Sequence, residues 1–280
     1  MGLLRDRESE LPLLQRLVAR LQDAARRPEL PAEEWPTAIV AYALHMSEDP
    51  SLLSAEDGLS VYADFVQATP PAQRASALGN LAAFVSSRRG SGWRALLLFA
   101  LGEAASPELC TRAATLAITQ APPVGPGVQP PLVGASAVVQ LLLEHAAPPP
   151  ALLSALLSLP DMRLLPALQP LAELPPARLC PLLAGLTGSL NHLSAACLLQ
   201  LLEARPSELA ESVTAALVRL AAHTPLVADI ALPLPTWAFK SPTPQPLQAW
   251  SLPEYLPRLL PRLQPHLTPG QLTALREAFV

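Results

Sequence analysis

Apolar side chains recur at intervals of three and four residues along most of the chain. A clear example near the carboxyl end comprises Leu209, Val213, Leu217 and Leu220. This spacing puts the apolar residues on one face of an α-helix. Proline, alone or after Ser or Thr, precedes most of these stripes, and a first helical position tolerates proline because its missing N–H would have no partner there. The pattern predicts about twelve to fourteen short helices joined by short loops.

Local signals indicate where the helices begin. Predicted starts include Ser54, Thr69-Pro70, Ser106-Pro107, Pro175-Pro176 and Thr268-Pro269. Thr268 and Gln271 have the spacing of a capping box, and Ser189 is expected to cap the helix that follows it. From Pro253 to Pro265 every fourth residue is a proline. Kinked single turns are expected there, because each proline inside a helix costs about 3 kcal/mol.

Composition supports the helical interpretation. The chain holds 59 Leu and 47 Ala, against 14 Val and 3 Ile. Leu and Ala favour helices, whereas Val and Ile favour strands. The sequence has no Val- and Ile-rich run of the kind that buried parallel strands show. We therefore expect an all-α fold.

Two proline-rich segments divide the pattern into parts. Residues 121–133 are expected to link an N-terminal helical-repeat half, residues 1–120, to a C-terminal helical-repeat half, residues 134–230. The second proline-rich segment begins the last part of the chain. Residues 231–280 are expected to form a proline-rich aromatic strap followed by a C-terminal cap, which the end of a stacked helical array requires.

Short amphipathic helices in series can bury their apolar faces by stacking in pairs. The leucine helices that begin at Thr69-Pro70, Ser106-Pro107, Pro175-Pro176 and Thr268-Pro269 resemble those of HEAT and armadillo α-solenoids. The resemblance covers most of the chain and implies an irregular α-solenoid of short paired helices. Repeats of that class have about 40–47 residues. The intervals here drift and no strict motif recurs, so no family residue is carried over.

Charge and cysteine content limit the partners and the location. The net charge is -4, and neither half has the basic excess that a phosphate-binding surface needs, so nucleic acid is not expected as a partner. A helix needs about 20 consecutive apolar residues to span a bilayer, and every apolar run in the sequence is much shorter, so no membrane association is expected. Cys110, Cys180 and Cys197 are odd in number and widely spaced. They are typical of buried free thiols in a cytoplasmic protein.

Catalytic motifs are missing from the sequence. It contains no P-loop, no H-E-x-x-H and no G-x-S-x-G motif. The five histidines are scattered, and the nearest His–Cys pair, His192 and Cys197, would point to different faces of a helix. We therefore expect no catalytic residue, no cofactor and no metal site.

Four aromatic residues form the first candidate binding group. They are Trp237, Phe239, Trp250 and Tyr255, in or beside the proline-rich strap. Trp and Tyr are frequent in the hot spots of protein interfaces, so these residues are candidates for binding a partner. The alternative is that they pack as the C-terminal cap over the last exposed leucine stripe.

A second candidate group combines Arg88, Arg89 and Trp93 around a glycine-containing loop. The arginine pair could bind a phosphate or an acidic partner. The alternative is that both arginines stabilise the negative end of the helix that precedes them.

These observations lead to two hypotheses about function. The first is a non-enzymatic scaffold or adaptor that binds a protein partner of unknown identity. Self-association is a further expectation, because only 15% of residues are charged and exposed apolar area tends to become an interface. The second is a nucleic-acid-binding or DNA-repair protein on a HEAT-like scaffold. It would place Arg74, Arg88, Arg89, Arg94 and Arg112 on one concave face beside Trp93 and an acidic residue.

Overall fold

The computed structural model describes residues 7–23, 25–48, 55–87, 92–102, 107–120, 130–233 and 249–279. Over these ranges the fold is all-helical apart from one two-stranded ribbon. The described residues form fourteen α-helices and four short 3₁₀ turns, which confirms the helical class that the pattern predicts. The chain divides into two compact units, Met1–Leu141 and Leu142–Val280.

The first unit contains the N-terminal helices. Its described residues form α1 (Arg7–Gln22), α2 (Trp35–Glu48), α3 (Ala55–Ala68), α4 (Pro71–Ser87), α5 (Trp93–Gly102), α6 (Pro107–Gln120) and most of α7 (Pro130–Glu144). Helix α7 begins within the segment expected to be a linker, because Pro130 and Pro131 take first-turn positions, where an N–H is not needed. Residues 121–129 lie outside the described residues.

The second unit combines short helices with the ribbon. Its helices are α8 (Pro150–Leu157), α9 (Leu165–Leu168), α10 (Pro176–Ala184), α11 (His192–Ala204), α12 (Pro206–Ala221), α13 (Leu252–Leu263) and α14 (Pro269–Ala278). Short 3₁₀ turns flank α9 and follow α12. The strands β1 (Ala231–Pro233) and β2 (Ala249–Ser251) pair antiparallel. Prolines shorten the helices between residues 150 and 184, as the sequence predicts.

An aromatic cluster forms the core of the first unit. Measured between ring centroids, Phe65 lies 6.1 Å from Trp35 and 6.2 Å from Tyr62. Phe99 lies 5.5 Å from Tyr62 and 5.9 Å from Tyr42. These rings come from α2, α3 and α5 and are at most 5% exposed. They hold the three helices together through large buried apolar surfaces.

The core of the second unit consists mainly of leucine and alanine. Every residue from Leu152 to Leu157 in α8 is buried. The one polar side chain among them, Ser154, accepts a hydrogen bond from the backbone N of Thr187 at 3.1 Å. This bond satisfies the buried hydroxyl oxygen and fixes the loop that leads into α11.

The structure confirms one of two predicted N-terminal helix caps and contradicts the other. Thr268 caps α14 as predicted, since its Oγ1 accepts from the backbone N of Gln271 at 3.3 Å. The cap of α11 is Asn191 rather than Ser189, so that prediction is wrong. Asn191 and Ser194 bond each other reciprocally, with both distances 2.9 Å. Asn191 takes the position because its side chain also donates to an α8 carbonyl.

Helix α13 contradicts the prediction of kinked turns. It runs without interruption from Leu252 to Leu263, although Pro257 and Pro261 lie inside it. Spacing by four residues puts the prolines on one face, where Pro257 and Pro261 are exposed. Carbonyls that lose a donor to proline therefore lie on the solvent side, where water can satisfy them. The opposite face is buried and comprises Leu252, Tyr255, Leu256, Leu259 and Leu263.

Candidate functional site

The structure describes only part of the aromatic strap. Trp237 and Phe239 lie outside the described residues. Trp250 belongs to β2, where its backbone is opposite Leu232 of β1. The ribbon is tied to α11, because the backbone N of Ala231 donates to Nδ1 of His192 at 3.0 Å.

Tyr255 is a buried residue that joins α13 to α11. It is 4% exposed, and its hydroxyl donates to Oε1 of Glu203 at 2.5 Å. Burial, the hydrogen bond and the nearby carboxylate all raise the pKa of Tyr255. The ring is covered by its own unit in this structure, so its role here is to hold helices together.

Trp93 is likewise part of a core rather than of a surface. It is 1% exposed, and its indole Nε1 is buried without a hydrogen-bond partner. The guanidinium of Arg94 lies 5.4 Å from the centre of its ring, within cation–π range. Arg88 and Arg89 lie outside the described residues. The structure therefore places Trp93 but not the arginine pair of this group.

A small cleft lies beside Trp93 in the first unit. It has a volume of about 180 Å³, and its other lining residues include Met46, Leu97, Gln140 and Leu141. Ligand pockets usually have about 300–1,000 Å³ and several converging polar groups. Arg94 also lines the cleft, but the other lining residues apart from Gln140 are apolar, so the cleft is small and has few of the polar groups that orient a substrate.

In the second unit, arginine side chains bind the ends of preceding helices. Arg178 of α10 donates from Nη2 to the carbonyl oxygen of Leu142 at 3.1 Å and also to that of His145. Leu142 lies in the last turn of α7, and His145 directly follows the helix. A cation at this place satisfies unpaired carbonyls and complements the negative end of the helix dipole.

Arg219 of α12 makes the same kind of contact with the end of α10. Its Nη2 donates to the carbonyl oxygen of Leu183 at 2.6 Å, and its Nε donates to that of Leu186 at 3.1 Å. The planar guanidinium can serve two carbonyls at once because its donors have a fixed geometry.

The two arginine contacts repeat at a fixed spacing. Each arginine binds carbonyls that lie 36 and 33 residues before it. Arg219 follows Arg178 by 41 residues, so both sets of contacts are displaced by that number. Helices α9 and α12 also begin 41 residues apart, and α8 and α11 begin 42 apart.

Core positions follow the same spacing. Pairs that are 41 residues apart and buried in both members are Leu152 and Leu193, Leu156 and Cys197, Leu168 and Leu209, and Leu179 and Leu220. The proline-broken segment from α9 to α10 therefore corresponds to the unbroken α12. The sequence alone does not reveal this correspondence, because leucine is so frequent that matches occur at many spacings.

A shallow groove lies between the carboxyl ends of α12 and α14. It has a volume of about 550 Å³, and its walls include Val218, Ala222, Leu226, Ala274 and Glu277. Leu226 is 65% exposed, and the one other large apolar residue that is exposed among the described residues is Leu13, at 40%. Glu277 is the one ionisable side chain in the lining.

The end of α12 departs from the arginine pattern. Continuing the spacing by a further 41 residues from Leu183 and Leu186 gives Thr224 and Val227, and both line the groove. The carbonyl oxygen of Val227 accepts a hydrogen bond from the backbone N of Ile230 at 3.2 Å, and among the described residues no arginine donates to the carbonyl of Thr224 or of Val227. Helix α14 brings Glu277 to the groove instead.

The sequence contains only a weak signal for this groove. Leu226 follows Pro225 outside any helical stripe, so its exposure could have been suspected. The groove itself depends on how α12, the following loop and α14 pack, and sequence patterns do not reveal that packing.

Further observations on the described residues concern metal ligands, thiols and membrane spans. These residues contain no group of three or more His, Cys, Asp or Glu side chains that could hold a metal ion. All three cysteines are free; Cys110 and Cys197 are buried, whereas Cys180 is half-buried. Within the same ranges, no helix is both long and apolar enough to cross a membrane.

No protein-family model, curated protein or solved structure matches the chain.

Proposed function

We propose that this protein is a non-enzymatic scaffold that binds a protein partner, built on an irregular α-solenoid of HEAT or armadillo type. Solenoids suit this role, because their stacked helices form extended surfaces on which partners bind.

The 41-residue repeat of arginine contacts is the observation that carries the proposal. A spacing of 41 residues lies within the range of about 40–47 that HEAT and armadillo repeats have. It relates hydrogen bonds, helix starts and buried positions of the second unit, which are three separate kinds of observation.

The surface of the second unit supports a binding role. The groove between α12 and α14 combines an exposed leucine with a single acidic side chain. Exposed apolar patches rimmed by polar groups often mark interaction sites. Its open form suits a peptide segment better than a small substrate, which needs enclosure.

The nucleic-acid hypothesis gains no support from the described part of the first unit. Trp93 is buried, so its ring cannot stack on a base without unfolding of the core. Arg112 donates to Oγ of Ser86 at 3.3 Å, and Arg94 lies over Trp93.

The free state of all three thiols supports a reducing compartment such as the cytoplasm.

Affinity purification of the full chain from its native host, followed by reconstitution, tests the scaffold proposal. We expect one or more proteins to copurify reproducibly, and the purified partner to bind the purified chain directly. A gel shift at low salt serves as the control, because the nucleic-acid hypothesis predicts binding there. A chain that stays monomeric and binds no protein, or one that shifts a duplex, would contradict the proposal.

A further inference from the structure

We propose that the groove between α12 and α14 binds an apolar peptide segment of a partner protein, and that an arginine of this segment contacts the end of α12 beside Glu277. This inference rests on the proposed scaffold function and names the chemistry of the partner at one site.

The same unit already contains arginine contacts of the kind that we propose. Arg178 and Arg219 each bind the carbonyl groups at the end of a preceding helix in the same unit. At Thr224 and Val227, which follow at the same spacing, the described residues supply no arginine. A partner arginine would make at α12 the kind of contact that the chain makes for itself at α7 and α10.

The charges around the groove are complementary to a cation. Glu277 is exposed and is the one ionisable group in the lining of the groove. The carboxyl end of α12 adds the partial negative charge of a helix dipole. Both features favour a cation, and arginine suits the site better than lysine because its guanidinium can bind a carboxylate and a carbonyl together.

The groove also exposes an apolar surface that the rest of the segment would cover. Leu226 is 65% exposed, and Val218, Ala222 and Ala274 lie on the walls around it. Apolar side chains of the segment would cover this surface while the arginine fixes its direction. A wholly polar peptide would leave Leu226 in water and gain little from the groove.

The probe is a phage-displayed library of random peptides of about 12 residues, selected on the immobilised full chain. Clones that also bind the double variant Leu226→Gln/Glu277→Arg are discarded, which leaves peptides specific for the groove. Both positions are exposed, so the variant should fold; its circular dichroism and thermal midpoint are compared with those of the wild type.

We expect the retained peptides to carry at least one arginine among apolar residues. Replacing that arginine by alanine should weaken binding by about tenfold or more, and Glu277→Gln in the protein should weaken it about threefold. The matched control Leu13→Gln, at the other exposed leucine, should leave the affinity unchanged.

Several results would overturn the inference. The first is that no groove-specific peptides are recovered, and the second is that the retained peptides lack basic residues. The third is that the wild type is a dimer and that Leu226→Gln converts it to a monomer. That result would show that a second copy of the chain occupies the groove. The scaffold proposal is separable from these results. If the groove variant still captures the partner that copurifies with the wild type, the scaffold proposal stands and the inference about this groove fails.

Discussion

Arg219 donates from Nη2 to the carbonyl oxygen of Leu183 at 2.6 Å, and so connects α12 to the end of α10. Arg178 makes the corresponding contact with Leu142 at the end of α7. Both arginines are half-buried, so water competes for these bonds less than it would at the surface. Each contact therefore joins two separate helices.

Replacing Arg219 by alanine should lower the free energy of unfolding by about 2 kcal/mol, because hydrogen bonds to charged groups contribute about 1.5–3 kcal/mol. Arg178→Ala should have a similar effect if the two contacts are equivalent. Urea unfolding followed by circular dichroism measures both. Arg163→Ala is the control, since Arg163 pairs on the surface with Asp161 and should leave stability nearly unchanged. Equal effects at Arg219 and Arg163 would contradict a structural role for Arg219.

Two buried tyrosines should respond in opposite ways to loss of the hydroxyl. Tyr255→Phe removes the hydroxyl that donates to Glu203 and should cost about 1–3 kcal/mol, since a buried hydrogen bond to a charged group is lost. The hydroxyl of Tyr42 is buried without a hydrogen-bond partner. Tyr42→Phe should therefore leave stability unchanged or raise it by about 1 kcal/mol. Urea unfolding at pH 7 distinguishes these outcomes, and a loss at Tyr42 as large as that at Tyr255 would contradict the explanation.

Two helical glycines offer a matched pair of substitutions. A Cβ at Gly134 in α7 would lie 2.1 Å from the carbonyl oxygen of Ala117, whereas a Cβ at Gly79 in α4 would meet nothing within 4 Å. Gly134→Ala must push two backbones apart and should cost about 1–3 kcal/mol. Gly79→Ala should stabilise the protein by up to about 1 kcal/mol, because alanine is the better helix former. Thermal unfolding midpoints should thus move in opposite directions.

Alkaline pH should destabilise the protein through its buried thiols. Burial raises the pKa of Cys197 from 9.0 to about 12 and that of Cys110 from 9.0 to about 11. Above about pH 9 the unfolded chain loses these protons while the folded chain keeps them. The free energy of unfolding should therefore fall as pH rises from 9 to 12, by at most about 1.4 kcal/mol per pH unit for each thiol.

Urea unfolding at pH 8, 9, 10 and 11 checks this dependence. Cys197→Ala should flatten the decline, because the substituted chain has one titrating thiol fewer. Cys110→Ala should flatten it too, over the narrower range that ends near pH 11. If neither substitution changes the slope, the buried thiols do not cause the alkaline destabilisation.

Much of the fold can be predicted from the sequence, because helix formation depends on local spacing. The leucine stripes predict the helices, and proline or a capping box marks starts such as Pro107 and Thr268. Local rules failed where a distant element decided the outcome. Asn191 replaced Ser189 as the cap because its side chain also reaches α8. Helix α13 stayed continuous because its buried leucine face outweighed the cost of its prolines.

The candidate site could be predicted far less well. The sequence singled out Trp93 and Tyr255 for their type, but tertiary packing buries both. Residue type alone cannot distinguish an aromatic anchor for a partner from an aromatic core residue, since both need large apolar surfaces. The sequence did not single out Leu226, which is one leucine among 59.

The sequence by itself determined that the chain forms short amphipathic helices, because periodicity and proline act through neighbours along the chain. Only the tertiary structure decided which helix ends receive Arg178 and Arg219, and that the end of α12 lies beside Leu226 and Glu277. The arginine contacts join residues 33 and 36 positions apart, and Glu277 belongs to a different helix from the end of α12. Packing of whole helices, rather than local preference, brings such residues together.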